Sequence, residues 1–307
     1  MTLFELIEQS AAELSAAGVA FGHGTTNAFD EAAWLVLWRL GLPLDSALEG
    51  SDSAGQSSVT AVNQKQVALL IATRIETRKP AAYLTHEAWL QGVAFYVDER
   101  VIVPRSLIAE LLVNGGIDPW LGEHTTKVLD LCTGNGSLAI LAAMAFPDVI
   151  VAASDYSADA LAVAHINIDK HRLAKRISLF ESDGLTSPAL QACGPFDLIL
   201  CNPPYVNAQS MASLPREYLA EPAMALDGNR SGGSDGMDFI RAMLRDALDH
   251  LADGAVLVLE VGHERNHFQA AFPTLEVVWL ETETTDDQVF LLTREALQAF
   301  YRSTRKN

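Results

Sequence analysis

Apolar residues in the first 87 positions recur every three or four residues, the spacing that places side chains on one face of a helix. Two stretches without this spacing, residues 24–27 and 43–58, are rich in turn-forming residues. The periodic positions are Leu3, Leu6, Ile7 and Leu14, then Trp34, Leu35, Leu37 and Trp38, then Val67, Leu70, Ile71 and Ile75. The pattern predicts a small helical domain over residues 1–87.

The pattern changes over residues 88–104, where apolar and polar positions alternate as they do in half-buried strands. The alternation flanks an acidic pair, Asp98 and Glu99, and ends at Pro104, which cannot donate to a strand ladder. We therefore predict a β-hairpin with its turn at this acidic pair. The hairpin would join the helical domain to the rest of the chain.

From residue 105 to residue 307, short apolar runs alternate with helical patterns. The predicted elements are helix 106–114, strand Lys127–Leu131, helix 137–145, strand Val149–Ser154, helix 157–171, strand Ile177–Phe180, strand Phe196–Cys201, helix 235–251, strand Ala255–Val261 and strands near 275–281 and 288–293. This alternation is typical of an α/β domain with a mostly parallel sheet covered by helices on both faces. Too little chain separates the closing two strands for a helical crossover, so one of them is predicted to be antiparallel.

Composition and charge narrow the range of partners. The chain has 307 residues, 49% of them hydrophobic, and a net charge of −18. Phosphate contacts dominate nucleic-acid affinity and need a basic surface, so the charge favours a protein partner, and a basic one. The N-terminus lacks a basic secretory signal, no uncharged apolar run approaches a membrane span, and the three cysteines form no CxxC pair. These features predict a cytoplasmic protein.

A glycine-rich turn follows the first predicted strand of the α/β domain. In Asp130-Leu-Cys-Thr-Gly-Asn-Gly136, Gly134 and Gly136 permit a tight turn and close approach of a cofactor to the backbone. Asp155 ends the next strand, where a carboxylate can accept hydrogen bonds from both hydroxyls of a ribose. Asp183, after the third strand, is either an adenine contact or part of an ordinary Asp-Gly turn. The glycine spacing also fits a dinucleotide fingerprint, so a nicotinamide-dependent dehydrogenase and a purely structural turn stay open.

The tetrapeptide Asn202-Pro-Pro-Tyr205 follows the fourth strand, beside the expected cofactor crevice. An amide nitrogen is a poor nucleophile because its lone pair is delocalised into the carbonyl group. A site that methylates it must hold both N–H groups, and the Asn202 side-chain oxygen and the Pro203 carbonyl oxygen can accept them. Pro203 and Pro204 stiffen the loop, and the Tyr205 ring can pack on the planar target. The motif predicts methyl transfer to an amide or amine nitrogen, with a rigid turn as the alternative.

Together, the stretch LDLCTGNG, Asp155, SDG at 182–184 and NPPY resemble the class I methyltransferases, and among them the HemK/Prm family of protein-glutamine N5-methyltransferases. The resemblance covers nearly the whole chain, because that family has a helical N-terminal domain, a hairpin and a Rossmann-like catalytic domain. It implies S-adenosyl-L-methionine as the cofactor and no metal. It also implies a substrate-recognition domain over 1–87, a linker over 88–104 and a methyltransferase domain over 105–307.

The region around the predicted hairpin carries a finer resemblance. Residues 78–89, 95–106, 214–222 and 233–236 are similar to the PrmB branch, which modifies a glutamine of large-subunit ribosomal protein three. The release-factor branch usually has Pro-Arg-Pro-Glu-Thr where this chain has Pro104-Arg-Ser-Leu-Ile108. The resemblance therefore implies a basic ribosomal protein as the substrate, with peptide chain release factors as the alternative.

The resemblance also implies roles for individual residues. Those implied to bind the cofactor are Asp130, Cys132, Thr133, Gly134, Asn135, Gly136, Asp155, Tyr156, Asp183, Gly184 and Asn202. The four NPPY residues are implied to act in catalysis and to bind the target glutamine. Arg105 would either help hold the substrate or brace the joint between the domains. Asn135 and Tyr156 depart from the family pattern, in which Thr or Ser and a smaller residue are common at these two positions.

Other functions fit parts of the sequence. His263-Glu-Arg-Asn-His267 matches the HExxH motif of zinc hydrolases, but it directly follows a strand and nothing marks a third ligand. Adenine-N6 methyltransferases of DNA or RNA share the NPPY logic, because an exocyclic amine poses a similar problem, but the acidic charge argues against them. A catalytically inactive binding scaffold is the alternative outside enzymes, and the intact Asn202 argues against it.

Overall fold

The computed structural model describes residues 1–304, so residues 305–307 of the predicted methyltransferase domain lie outside the described residues. Four helices come first: α1 (Leu3–Ala16), α2 (Ala28–Leu40), α3 (Ala61–Thr77) and α4 (Ala81–Thr85). A reciprocal cap begins α1, because the Thr2 hydroxyl accepts from the Glu5 N–H and the Glu5 carboxylate accepts from the Thr2 N–H. Asn27 caps the start of α2, and Gly41, at φ +66°, ends it.

The apolar faces of α1, α2 and α3 pack against one another. Their shared core includes the periodic positions Leu3, Ile7, Leu14, Leu35 and Ile71, all of them buried, whereas Trp38 is exposed. Helical spacing places these side chains on one face, and burying that face stabilises helices of this length.

The hairpin that follows is shorter than predicted. Its strands are β1 (Ala88–Leu90) and β2 (Val93–Phe95), which pair antiparallel. The turn is Gln91-Gly92, with φ of +50° and +73°, as tight two-residue hairpins require. The prediction that the hairpin turns at Asp98 and Glu99 is therefore wrong. A turn does lie there, because the Val101 N–H donates to the Asp98 carbonyl at 3.1 Å, but it follows the hairpin. Asp98 instead accepts hydrogen bonds from the Arg100 guanidinium and the Tyr96 hydroxyl, within a loop that leads to the next helix.

The remaining elements alternate as the pattern predicted. They are α5 (Ile108–Val113), β3 (Lys127–Leu131), α6 (Ser137–Ala145), β4 (Ile150–Asp155), α7 (Ala158–Lys170), β5 (Ile177–Glu181), α8 (Pro188–Gln191), β6 (Phe196–Cys201), α9 (Ala208–Ala212), α10 (Asp238–Ala247), β7 (Leu251–Glu260), α11 (Arg265–Ala271), β8 (Val278–Leu280), β9 (Val289–Thr293) and α12 (Arg294–Thr304). The sheet order is β5-β4-β3-β6-β7-β9-β8. Neighbours from β5 to β7 are parallel, and β9 is antiparallel to both β7 and β8, which confirms the predicted α/β class with its antiparallel last strand.

The largest difference from the predicted boundaries lies between α10 and β7. The helix predicted over 235–251 ends at Ala247, and the strand predicted from Ala255 begins at Leu251. The reason is that Leu251 is buried and pairs with Phe196, while a register shift in β6 accommodates the exposed residues before Ala255. From the sequence, a short exposed stretch inside a strand is predicted to be a loop, because it lacks the apolar alternation that is typical of strands.

Strand register places the candidate site at one edge of the sheet. Leu131, the last residue of β3, pairs with Ser154 on one side and with Cys201 on the other. The residues that follow these positions, Cys132, Asp155 and Asn202, therefore lie at the carboxyl edge, where open α/β sheets bind ligands. Within residues 1–304, no helix is long and apolar enough to cross a membrane.

Candidate active site

A cavity opens at the carboxyl ends of β3, β4 and β6. Together with its open mouth, it spans ≈ 700 Å³ of empty space. Its lining residues include Ile102, Leu131, Cys132, Gly134, Asp155, Tyr156, Gly184, Asn202, Pro204, Pro222, Met224, Ala225, Arg230 and Phe239. The wall is mainly apolar, and the Asp155 carboxylate is its acidic group.

The glycine-rich turn forms the floor of this cavity. Gly134 and Gly136 adopt φ of +55° and +83°, a region that favours glycine. A Cβ on Gly136 would lie 3.2 Å from the Ala164 Cβ, whereas a Cβ on Gly134 would meet nothing within 4 Å. Gly136 therefore lets the turn pack on α7, and Gly134 leaves open space for a ligand beside the backbone.

Asp130 lies beneath the turn. Its carboxylate accepts from the Thr133 hydroxyl at 2.5 Å and from the Ala139 N–H at 2.9 Å, which ties the turn to the start of α6. Burial raises the pKa of Asp130 to about 7, against the lowering effect of these two hydrogen bonds. Asp130 thus supports the turn from below.

Asp155 faces the cavity from the end of β4. Its two oxygens accept from the Gly134 N–H and the Ser157 N–H, each at 2.9 Å, so the carboxylate is held in one orientation. Burial raises the pKa of Asp155, while backbone hydrogen bonds and the charge of Arg230 oppose the rise. The remaining lone pairs of the carboxylate can accept hydrogen bonds from a ligand in the cavity.

The structure brings together six of the residues predicted to bind the cofactor and leaves five others outside the lining. Cys132, Gly134, Asp155, Tyr156, Gly184 and Asn202 line the cavity, whereas Asp130, Thr133, Asn135, Gly136 and Asp183 are not among its lining residues. Thr133 and Asn135 are buried within the turn. Asp183 is exposed and forms an ion pair with Arg230 at 3.3 Å.

A second cavity lies on the other side of Asn202. Together with its open mouth, it spans ≈ 930 Å³ of empty space. It is lined by Ile102, Arg105, Leu107, Asn202, Pro203, Tyr205, Val206, Leu214, Tyr218, Ala225, Leu226, Glu260, Gly262, His263 and Gln288. Asn202 lines both cavities. Within residues 1–304, no protein group is hydrogen-bonded to its side-chain amide, so both amide atoms are available to ligands.

Tyr205 is held from behind by the end of β7. Its hydroxyl donates to Glu260 Oε1 at 3.3 Å, and Glu260 Oε2 accepts from the Ser106 hydroxyl at 2.6 Å and the Leu107 N–H at 2.9 Å. Burial next to Glu260 raises the pKa of Tyr205, so its hydroxyl stays a neutral donor. The ring therefore has a fixed position in the wall of the second cavity.

Arg105 braces the junction between the helical region and the α/β region. Its guanidinium donates to both carboxylate oxygens of Glu221, at 2.7 and 2.8 Å, and lies over the Tyr218 ring. Burial alone would raise the pKa of Glu221, but His23 and Arg105 lower it to about 2. His23 also packs against Tyr218, with ring centroids 4.3 Å apart. Arg105 also lines the second cavity. Its position is therefore compatible with both roles that the sequence left open, holding the substrate and bracing the joint between the domains.

Sequence reasoning missed the segment between α9 and α10, which contributes to the walls of both cavities. Its contributions are Leu214, Tyr218, Pro222, Met224, Ala225, Leu226 and Arg230. The segment holds only short 3₁₀ turns, so it has no periodic pattern. Its similarity to the PrmB branch was the one signal in the sequence.

The HExxH residues serve a structural purpose. Glu264 Oε1 accepts from the Asn207 side chain at 2.6 Å, and Glu264 Oε2 lies 2.6 Å from His267 Nδ1. His263 Nδ1 lies 3.1 Å from Gln288 Nε2. In the described part of the chain, no three His, Cys, Asp or Glu side chains form a group that could hold a metal ion.

The fold matches that of a known methyltransferase, and part of the chain matches a methyltransferase family model. A family model described as "Methyltransferase small domain" matches residues 109–234. The catalytic domain of hMettl16, solved with hairpin 1 of the MAT2A 3′UTR, has a TM-score of 0.51 at 13% identity, covering 85% of this chain and 90% of that chain. The likeness to this solved structure is one of fold. The protein is an α/β methyltransferase of class I, so the dehydrogenase alternative falls away.

Relatives along nearly the full length narrow this class to a family. The ribosomal protein uL3 glutamine methyltransferase of Bordetella pertussis is 50% identical over 298 residues, which cover 96% of each chain. The protein of the same name from Neisseria gonorrhoeae is 45% identical over 96% of this chain and 95% of its own. The chain belongs to the family of ribosomal protein uL3 glutamine methyltransferases.

Replacing Asp155 with asparagine is expected to weaken binding of S-adenosylmethionine by about 10- to 100-fold, because a charged acceptor at the cavity wall is lost. Isothermal titration calorimetry measures the change. Burial raises the pKa of Asp155, so wild-type affinity should fall as the pH drops through that raised pKa, and the variant should lack this fall. Asp159→Asn, at an exposed position in the first turn of α7, is the control. Equal affinities for the Asp155 variant and wild type would contradict the assignment.

Proposed function

We propose that the protein transfers a methyl group from S-adenosylmethionine to the side-chain nitrogen of a glutamine in ribosomal protein uL3. The relatives named for this activity, at 44–50% identity, support the proposal. The observation that carries it is the position of Asn202, which lines both cavities with an unpaired side-chain amide. A residue in this place can contact a cofactor on one side and an amide substrate on the other.

The first cavity fits S-adenosylmethionine by the chemistry of its lining. The Asp155 carboxylate can accept both ribose hydroxyls, and the open space beside Gly134 suits a group that lies along the backbone. Tyr156 and Phe239 supply aromatic surface for a planar base, and Gly184 leaves room next to Phe239. When bound, the cofactor supplies an electrophilic methyl group.

The chain's own residues would prepare the target amide. Asn202 Oδ1 would accept one N–H of the glutamine amide, and the Pro203 carbonyl would accept the other, which orients the nitrogen toward the first cavity. Pro203 and Pro204 restrict the backbone, so these acceptors need little reorganisation. Tyr205, held by Glu260, would pack against the planar amide. Positioning is the main contribution, because the amide nitrogen becomes acidic as its charge develops and needs no strong base beforehand.

Within this family, we propose the PrmB branch of the HemK/Prm proteins, on the similarity of residues 78–89 and 95–106 to that branch. Residues 1–87 would contribute to substrate recognition and residues 105–307 would carry out methyl transfer. The net charge of −18 favours encounter with a basic ribosomal protein. We propose that this encounter takes place in the cytoplasm.

A competition among three targets tests the proposal. The enzyme is incubated with labelled S-adenosylmethionine and equal amounts of ribosomal protein uL3, a peptide chain release factor and duplex DNA. We expect label in uL3, on a glutamine identified by peptide mass spectrometry. Label in the release factor alone would overturn the ribosomal substrate, and label in DNA alone would overturn protein methylation. The Asn202→Ala variant is the negative control. We expect it to transfer no label, which would show that the label in uL3 depends on this site.

A further inference from the structure

Arg230 lies at the rim of the first cavity in a polar loop that the predicted chemistry left without a role. The loop comprises residues 227–236 and is the last part of the segment between α9 and α10. Arg230 lines the cavity, and its side chain is 30% exposed. The cavity residues proposed to bind adenosine lie at the ends of β4 and β5. A charged side chain at this rim can therefore contact a bound ligand.

Two contacts place the Arg230 guanidinium across the rim. Its central carbon lies 4.8 Å from the centroid of the Tyr156 ring, within the range of a cation–π contact. Its Nη1 atom lies 3.3 Å from Asp183 Oδ1. Tyr156 follows β4 and Asp183 follows β5, so one side chain from a third segment connects the ends of two neighbouring strands.

The loop that carries Arg230 is anchored to the catalytic motif. The Asn229 side chain donates to the Val206 carbonyl at 3.2 Å and accepts from the Gly236 N–H at 2.8 Å. A Cβ on Gly236 would lie 2.1 Å from the Tyr205 carbonyl oxygen, so the loop packs directly on the backbone of NPPY. The Asp238 carboxylate accepts from the N–H groups of Ser231 and Gly233, at 2.8 and 3.0 Å. These hydrogen bonds and packing contacts of the loop therefore determine the position of Arg230.

We propose that Arg230 is a positioning residue for the adenosine end of the cofactor. It holds the Tyr156 ring in place as one wall of the cavity, and it closes the rim toward Asp183. The proposal rests on S-adenosylmethionine binding in the first cavity. The Tyr156 side chain is about half-exposed, and the Arg230 guanidinium is stacked on its ring. The Arg230 charge also favours the ionised form of Asp155, the form that accepts ribose hydroxyls.

The test uses S-adenosylhomocysteine and 5′-methylthioadenosine as probes, because both contain the adenosine end and only the first contains the amino-acid end. Arg230→Gln removes the charge and the stacked cation. We expect the Kd of both probes to rise by about 5- to 20-fold, from the combined loss of one cation–π contact and one partly exposed ion pair. Arg230→Lys, which keeps the charge but not the planar group, should fall between Gln and wild type.

Two comparisons separate positioning from general damage. Arg39→Gln, on α2 and lining neither cavity, should leave both Kd values unchanged. In a double-mutant cycle with Tyr156→Leu, the effects of the two substitutions should be less than additive, because Arg230 acts through the ring. The unfolding temperature of Arg230→Gln should match that of wild type, since the contacts it loses are on the surface.

The outcomes distinguish this inference from the proposed function. Wild-type protein that binds neither probe would overturn the assignment of the cavity, and the inference with it. Normal wild-type binding with unchanged Kd values in Arg230→Gln would overturn the inference alone. A loss confined to S-adenosylhomocysteine would overturn the adenosine-end assignment, and fully additive effects with Tyr156→Leu would overturn the role of the ring.

Discussion

Replacing Asn202 with alanine is expected to lower kcat for methylation of uL3 by at least about 10²- to 10³-fold, the loss typical of removing one preorganised polar group from an active site. The substitution removes the acceptor that would hold one N–H of the target amide. S-adenosylmethionine should still bind, because the glycine turn and Asp155 are untouched. The measurements are single-turnover methyl transfer at saturating substrate and calorimetric titration of the cofactor.

Asn207→Ala is the matched control for this loss. Asn207 follows the same motif, but its side chain caps α9 and donates to Glu264 at 2.6 Å. Its replacement should lower the free energy of unfolding by about 0.5–2 kcal/mol, as the loss of a helix cap does, and leave turnover of the folded enzyme near normal. Asn202→Ala should show the opposite pattern. Turnover of the Asn202 variant within about threefold of wild type would refute its catalytic role.

The edge of the sheet that carries the site could be predicted because buried parallel strands have a simple signature. Strands β3, β4 and β6 are apolar runs, each followed by a polar or glycine-rich stretch. In a parallel sheet the carboxyl ends of such strands meet at one edge, so Asp155 and Asn202 come together although they are distant in the sequence. The chemistry of NPPY then followed from the needs of an amide nucleophile.

The walls of the site could not be predicted, because they depend on contacts between distant residues without regular structure. Glu221 joins His23 of the helical region to Arg105, and Arg230 joins Tyr156 to Asp183. None of these pairs has a fixed spacing or a periodic pattern. The hairpin shows the same limit on a smaller scale, since the turn at Asp98 lies in the loop after the hairpin, where Arg100 contacts the Asp98 carboxylate.

The identity of the target nitrogen therefore came from the similarity to known families, because local sequence patterns did not indicate it. NPPY alone admits protein and nucleic-acid nitrogen as targets, and its geometry is equally compatible with both. The acidic composition and the stretch from Phe95 to Ser106 favoured a protein glutamine. In the structure, Ser106 lies behind the motif, where it donates to the same carboxylate that holds Tyr205. A part of the sequence that indicates the substrate is thus connected, through Glu260, to the residue proposed to pack against the substrate.

Replacing Gly262 with alanine is expected to lower kcat by about 10- to 100-fold, because it displaces the Tyr205 ring. A Cβ at Gly262 would lie 2.7 Å from Tyr205 Cε2 and 2.8 Å from its hydroxyl oxygen, so the ring must move. Movement breaks the hydrogen bond to Glu260 and shifts the wall of the second cavity. A displacement near 1 Å in a positioned group can cost about 10² in rate. Steady-state kinetics with uL3 measure the change.

Gly254→Ala separates ring displacement from backbone strain. Gly254 lies in β7 at φ +75°, close to the +52° of Gly262, but a Cβ there meets nothing within 4 Å. Both variants should lose about 1–2 kcal/mol of stability from the left-handed conformation. Only Gly262→Ala should lose turnover, since only that Cβ reaches Tyr205. Equal kcat values for the two variants would mean that the position of the Tyr205 ring does not limit methyl transfer, and that Glu260 and Ser106 hold it for stability alone.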